Sequence, residues 1–242
     1  MAKRELNALK IKIASNVVLG VLVLSIGALC LSVTNDSVAA NEKETEVYRS
    51  AGENAVGVSL MFNVYWGTDE VYKILDVLKE YDAKATFFIG GCWADDNVDC
   101  LRAIYEAKHE IGNHGYFHKD HKTLNLVNNQ KEIESCNRFI ELAIGEKPTL
   151  FAPPSGSYGS DMLTACELLN MKTILWSKDT IDWRDKDVSL TYKRATNGVK
   201  VGDFILMHPM ESTANALGEI LQYYKDNSLK TVTVSENLQE KG

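Results

Sequence analysis

Four of the chain's five histidines, His109, His114, His118 and His121, fall within thirteen residues. The fifth, His208, ends the apolar run Phe204-Ile205-Leu206-Met207. His114 and His118 are four apart, so on a helical turn their rings would share a face and could grip one metal ion. The plainer alternative is two surface histidines, but the setting HEIGNHGYFHKDH, just after a short strand-like run, favours the ligand reading. Zinc is the expected ion for imidazole donors outside the cell, and other divalent ions also fit. His208 is either a structural ring bonded to backbone or a general acid or base, because histidine changes charge near neutrality.

A second group is Trp176-Ser177-Lys178-Asp179-Thr180-Ile181-Asp182-Trp183, which sets two carboxylates beside indole rings. Such carboxylates can orient a histidine, and tryptophan faces suit sugar rings or an acetyl methyl. An ordinary loop with a capped turn and a half-buried tryptophan accounts for the same residues.

The elements that would position these groups alternate. Strand-like runs are expected at Val56–Asn63, Ala85–Ile89, Glu110–Asn113, Thr149–Ala152, Thr173–Trp176, Phe204–Met207 and Thr231–Val234. Helical segments lie between them. One starts at Thr68 as N-cap, with Asp69 and Glu70 in its first turn and Val71, Ile74, Leu75 and Leu78 on one face. Another covers 95–108, and a long amphipathic one covers 125–144 through Val127, Ile133, Ile140 and Ile144. Repeated strand-then-helix units mean an α/β fold of parallel strands, as an open doubly wound sheet or a barrel. In such folds chemistry gathers where strands end, and Asn63, His114, Ala152, Asp179 and His208 all stand there.

Residues 13–33 carry no charge, and Lys3, Arg4, Lys10 and Lys12 precede them. About 20 apolar residues cross a bilayer as a helix, and a basic flank stays cytoplasmic. The expectation is a basic cytoplasmic tail over 1–12, one transmembrane helix over 13–33, a polar linker over 34–55 and a folded domain over 56–242. The chain would then be a single-pass cell-membrane protein with an extracytoplasmic domain, or a secreted one if Ser37-Val38-Ala39-Ala40 is cleaved near Ala40. The net charge of −7 conceals +2 in residues 1–40, leaving −9 on the remaining 202. An acidic domain argues against nucleic acid as a partner. Five cysteines make no disulfide framework at this size; Cys92 and Cys100 could pair, but small buried hydrophobes are the commoner outcome.

Taken in order, KATFFIGG (Lys84–Gly91), HEIGNHGYFH (His109–His118), FAPPSG (Phe151–Gly156), WSKDTIDW (Trp176–Trp183) and ILMH (Ile205–His208) resemble the polysaccharide deacetylase or NodB-homology family, carbohydrate esterase family four. The resemblance covers roughly residues 56–238. It implies a distorted (β/α) barrel and metal-dependent removal of acetyl groups from N-acetylated sugars, with a cell-wall glycan such as peptidoglycan as the partner. By position, His114 and His118 match metal ligands and His208 matches the acid that protonates the departing amine. Asp182 matches the carboxylate that orients His208, and Trp183 and Leu206 match the acetate-pocket walls. Pro154 and Tyr116 fall at substrate-binding positions.

The departures fall in one place. Where the family has TFDDG, this chain has Met61-Phe62-Asn63-Val64-Tyr65-Trp66-Gly67. Asn63 stands at the base position, and an amide takes no proton at neutral pH. Val64 stands at the metal-Asp position, and Ala152 where the family has the Arg that pairs with the base. This form resembles a sub-branch from spore-forming bacteria with an expanded FDxxWG motif. Three readings follow. A working deacetylase with a non-standard site would draw a third ligand from Asp69, Asp120 or His121. An inactive glycan-binding pseudo-enzyme would use Tyr65, Trp66, Tyr116 and Trp183. A different metal-dependent amidase ranks last. Retention of His114, His118, Asp182 and His208 sets the enzyme slightly ahead of the binder.

Overall fold

The computed structural model describes residues 46–239. The expected anchor at 13–33 and the cleavage position near Ala40 lie outside them. Among the described residues no helix is long and apolar enough to cross a membrane.

Eight strands form one sheet in the order β1-β6-β5-β4-β3-β2-β8-β7, and every paired neighbour is parallel. The strands are β1 (Val47–Tyr48), β2 (Ser59–Val64), β3 (Thr86–Ile89), β4 (Glu110–Asn113), β5 (Leu150–Phe151), β6 (Lys172–Ile174), β7 (Lys178–Asp179) and β8 (Phe204–Met207). No ladder joins β7 to β1, so the barrel stays open between them. One antiparallel bridge, Ser50 to Asp203, is formed near that gap. The segment read as a linker over 34–55 therefore includes a strand, β1, which pairs with β6 through Val47–Thr173 and Tyr48–Ile174.

The helices among the described residues are α1 (Thr68–Glu80), α2 (Gly91–Asp96), α3 (Val98–Glu106), α4 (Leu126–Ile144), α5 (Ser160–Leu168), α6 (Asp182–Asp185), α7 (Val188–Thr196), α8 (Glu211–Asp226) and α9 (Val234–Asn237). Strand periodicity divides the core in two. Leu60, Phe62 and Val64 of β2 join Val71, Ile74 and Leu78 of α1 and Leu217 and Ile220 of α8 in the larger cluster. Met61, on the opposite face of β2, packs inside the half-barrel with Phe88, Ala152, Ile174 and Phe204. Asn63 shares the face of Met61 and points inward.

Three further sequence expectations change. Thr68 is the first helical residue rather than the cap: Gly67 is the N-cap, and the Thr68 hydroxyl donates to Asn97 Oδ1 and accepts from Trp93 Nε1. Thr231–Val234 is no strand, because Thr233 caps α9 through a reciprocal capping box with Glu236. A single bridge from Val58 to Thr231 is what the apolar pattern there produces. Val127 is exposed, and α4 buries Ile133, Cys136 and Ile140 instead. The four described cysteines are all free, and Cys92 and Cys100 stay unpaired, the outcome the sequence favoured.

Gly67 fixes the turn that leaves β2. Its φ is +76, and a Cβ there would sit 2.2 Å from the Pro209 carbonyl oxygen. Both the left-handed backbone and the close approach require glycine. Gly67→Ala is expected to destabilise the fold by about 1–3 kcal/mol, measured by urea denaturation. An unchanged midpoint would mean that the turn re-forms freely.

Candidate active site

The loops at the C-terminal ends of the strands enclose a cavity of 320 Å³. Asn63, His114, His118, Leu206 and His208 line it together with Trp66, Trp176, Asp179, Trp183 and Ser155. The strand-end groups predicted to converge thus do so, with the exception of Ala152, which is buried in the inner core.

His114 and His118 leave β4 in a loop, not a helical turn, and His118 has a positive φ of 53. The loop is pinned by Asn113, whose side chain donates to Ile133 O at 2.8 Å and Asn137 Oδ1 at 2.8 Å and accepts from Gly115 N at 2.7 Å. The two imidazoles still meet, with centroids 5.1 Å apart and planes at 71°. His114 Nδ1 lies 2.7 Å from Ala152 O. A carbonyl only accepts, so Nδ1 carries the proton and Nε2 of the neutral ring is free. Burial pushes the His114 ring down to about 3, and the nearby His118 adds to the effect. Burial lowers His118 as well.

His208 and Asp182 form a dyad. His208 Nδ1 is 2.8 Å from Asp182 Oδ1, and the His208 backbone N–H donates to Oδ2 at 2.7 Å. The Trp183 N–H also donates to Oδ1, at 2.8 Å, and the buried Thr213 hydroxyl donates to Oδ2. Burial pushes the Asp182 carboxyl up, but the hydrogen bonds and charge of His208 and the Thr213 hydroxyl outweigh it and hold the group below its ordinary value. Thr213 was invisible to motif reading because it lies 31 residues away on α8. The Trp66 indole stacks on His208 at 5.8 Å with planes 4° apart, and its N–H meets Met210 Sδ at 3.3 Å.

Other predicted residues stand aside. Tyr116 packs against Phe117 and covers Gly91, and it does not line the cavity. Pro154 is buried and does not line the cavity; its neighbour Ser155 does. Asp182 is fully buried behind His208. None of the proposed third ligands reaches the histidine pair. Asp120 bonds Ser157 Oγ and the Lys122 N–H, and Asp69 lies in the first turn of α1. His121 is tied to Asn129 Oδ1 at 2.7 Å and packs on Phe151.

Among the described residues no group of three His, Cys, Asp or Glu side chains could hold a metal ion. Val64, at the position of a ligand Asp, is fully buried in the outer core, on the face of β2 opposite Asn63. Asn63 is nearly buried, and its Oδ1 has no partner. The donor set is therefore two imidazoles and an amide, which does not fit a resident metal of the zinc type.

The polysaccharide deacetylase family matches residues 52–174. The Bacillus subtilis protein YlxY is 34% identical over 212 residues, 88% of this chain and 66% of that protein, so this chain spans slightly under two thirds of that relative. A peptidoglycan-N-acetylglucosamine deacetylase of Bacillus cereus is 31% identical over 183 residues, 72% of this chain and 85% of that enzyme. Among solved structures, a CE4 family pseudoenzyme from Bacillus anthracis superposes with a TM-score of 0.79 at 34% identity, covering 83% of this chain and 71% of that one. A mutant of it described as having restored enzymatic activity superposes equally well, at 32% identity over 83% and 74% of the two chains. The strand-end cavity, the His114–His118 pair and the Asp182–His208 dyad lie on a chain that belongs to the polysaccharide deacetylase family, the CE4 carbohydrate esterases.

Proposed function

We propose that this protein engages an amino-sugar glycan of the cell wall, such as peptidoglycan, in the deacetylase cavity and, with its present residues, binds it without turning it over. Residues 13–33 would hold the domain at the outer face of the membrane. The observation that carries the reading is Asn63, an amide where the cavity needs a proton acceptor; among the described residues no third His, Cys, Asp or Glu is placed to hold a metal ion with His114 and His118. Order between enzyme and binder, set slightly towards the enzyme by the residues alone, reverses on this point. The likeness to a pseudoenzyme of the same family supports it.

The site retains what binding needs. Trp66, Trp176 and Trp183 offer indole faces for a sugar ring, and Leu206 an apolar wall. A second reading, slow de-N-acetylation, is favoured by one observation: the Asp182–His208 dyad is intact and could still deliver a proton to a departing amine.

Binding of an N-acetylglucosamine tetramer or soluble peptidoglycan to the full chain, by calorimetry, tests the proposal. Trp183, nearly half exposed at the mouth, makes no side-chain hydrogen bond to the protein. Trp183→Ala is expected to weaken binding about tenfold while leaving the fold intact. Absence of binding to every glycan tried would end the proposal.

A further inference from the structure

Among the described residues Asp179 is the one carboxylate that lines the cavity. It ends β7 with half-buried exposure. Its Oδ1 accepts from the Ile181 N–H at 2.8 Å, which holds Ile181 at a φ of 53 and presents Asp182 and Trp183. Among the described residues nothing bonds its Oδ2. Among the described residues no lysine or arginine lines the cavity, and Ala152 brings no guanidinium to it; Arg184 and Arg194 act on Asp179 from outside it. Asn63 Oδ1, a second acceptor, is buried without a partner. Three indoles, Trp66, Trp176 and Trp183, complete the walls.

Resting on the glycan-binding reading above, we propose that the cavity selects an amino sugar whose nitrogen is already free, recognising the ammonium of a de-N-acetylated unit rather than an acetamide. An ammonium carries three donors and a charge, and it needs acceptors, a carboxylate oxygen free to accept and aromatic faces. The cavity supplies Asp179 Oδ2, Asn63 Oδ1 and the indoles. Burial raises the Asp179 carboxyl above its ordinary value and outweighs the opposing effects of the Ile181 N–H, His208 and Arg194. A glycan unit with a free amine would be the product of a deacetylase, so the protein would read that reaction's outcome.

The test compares two β-1,4 tetramers of N-acetylglucosamine, one fully acetylated and one with a single free amine, by calorimetry on the full chain. The single amine limits plain attraction of a polycation to the acidic domain. The amine-bearing tetramer is expected to bind about tenfold tighter near pH 6, and the preference should fade above about pH 8 as the amine loses its proton. Asp179→Asn should abolish the preference, so that the amine-bearing tetramer binds no more tightly than the acetylated one. The pH series on the unaltered chain carries the test if that variant fails to fold. Equal or tighter binding of the acetylated tetramer overturns this inference and keeps the glycan-binding reading. A preference that survives Asp179→Asn also overturns it. Binding of neither tetramer removes the underlying reading.

Discussion

Asn63→Asp is expected to raise acetate release from an N-acetylglucosamine tetramer by about 10²–10⁴-fold over the unaltered chain, the usual contribution of a general base. Position 63 lies on the inward face of β2, in the same cavity as His114, His118 and His208. The amide there takes no proton, and a carboxylate of almost the same shape does. Ala152 offers it no guanidinium, so the new charge would be buried unpaired and the variant should lose stability at neutral pH. Addition of His208→Ala to the variant should remove the gain, since the amine would depart without its acid. If Asn63→Asp binds glycan and still releases no acetate in any added divalent ion, the missing base is not what arrests the site.

Asp182→Ala is expected to cost about 3–5 kcal/mol of stability, in the range for removing one partner of a buried pair. The side chain accepts from the ring and the backbone N–H of His208, the Trp183 N–H and the Thr213 hydroxyl. All of these donors would be left facing a void. The sign of the pH dependence follows from a folded-state carboxyl held below its ordinary value of 3.8. Such a group contributes stability that is present above 3.8 and is lost as pH falls through the lower folded value. Denaturation in urea at pH 7 and again near pH 3 should therefore show the gap between the unaltered chain and Asp182→Ala narrowing with acid. A gap that is small at pH 7, or constant with pH, would contradict the assignment of Asp182 as the buried anchor of His208.

Much of this was legible in the sequence because it is local. The apolar runs at Thr86–Ile89 and Phe204–Met207 form strands whatever surrounds them, and His208 follows one directly. The alternation of strand and helix dictates parallel pairing, and parallel pairing brings the strand ends to one side. What failed was set by local hydrogen bonds that override composition and spacing, and by tertiary packing. Thr231–Val234 has the composition of a strand, but Thr233 and Glu236 close a helix start there instead. The His114–His118 spacing suggested a helix, whereas Asn113 and the left-handed His118 bend a loop to the same meeting of rings. Val64 shows the limit of positional matching. It occupies a ligand's place in the motif, yet its side chain belongs to the outer core with Phe62 and Val71. Thr213 reaches Asp182 through a contact that only the folded chain creates.

The most direct measurement is acetate released by the unaltered full chain from peptidoglycan and N-acetylglucosamine tetramer, with and without added zinc, beside a binding isotherm on the same samples. Saturable glycan binding is expected, with acetate no higher than in the His208→Ala control. Acetate release that exceeds that control and tracks glycan occupancy would contradict it and establish a working deacetylase.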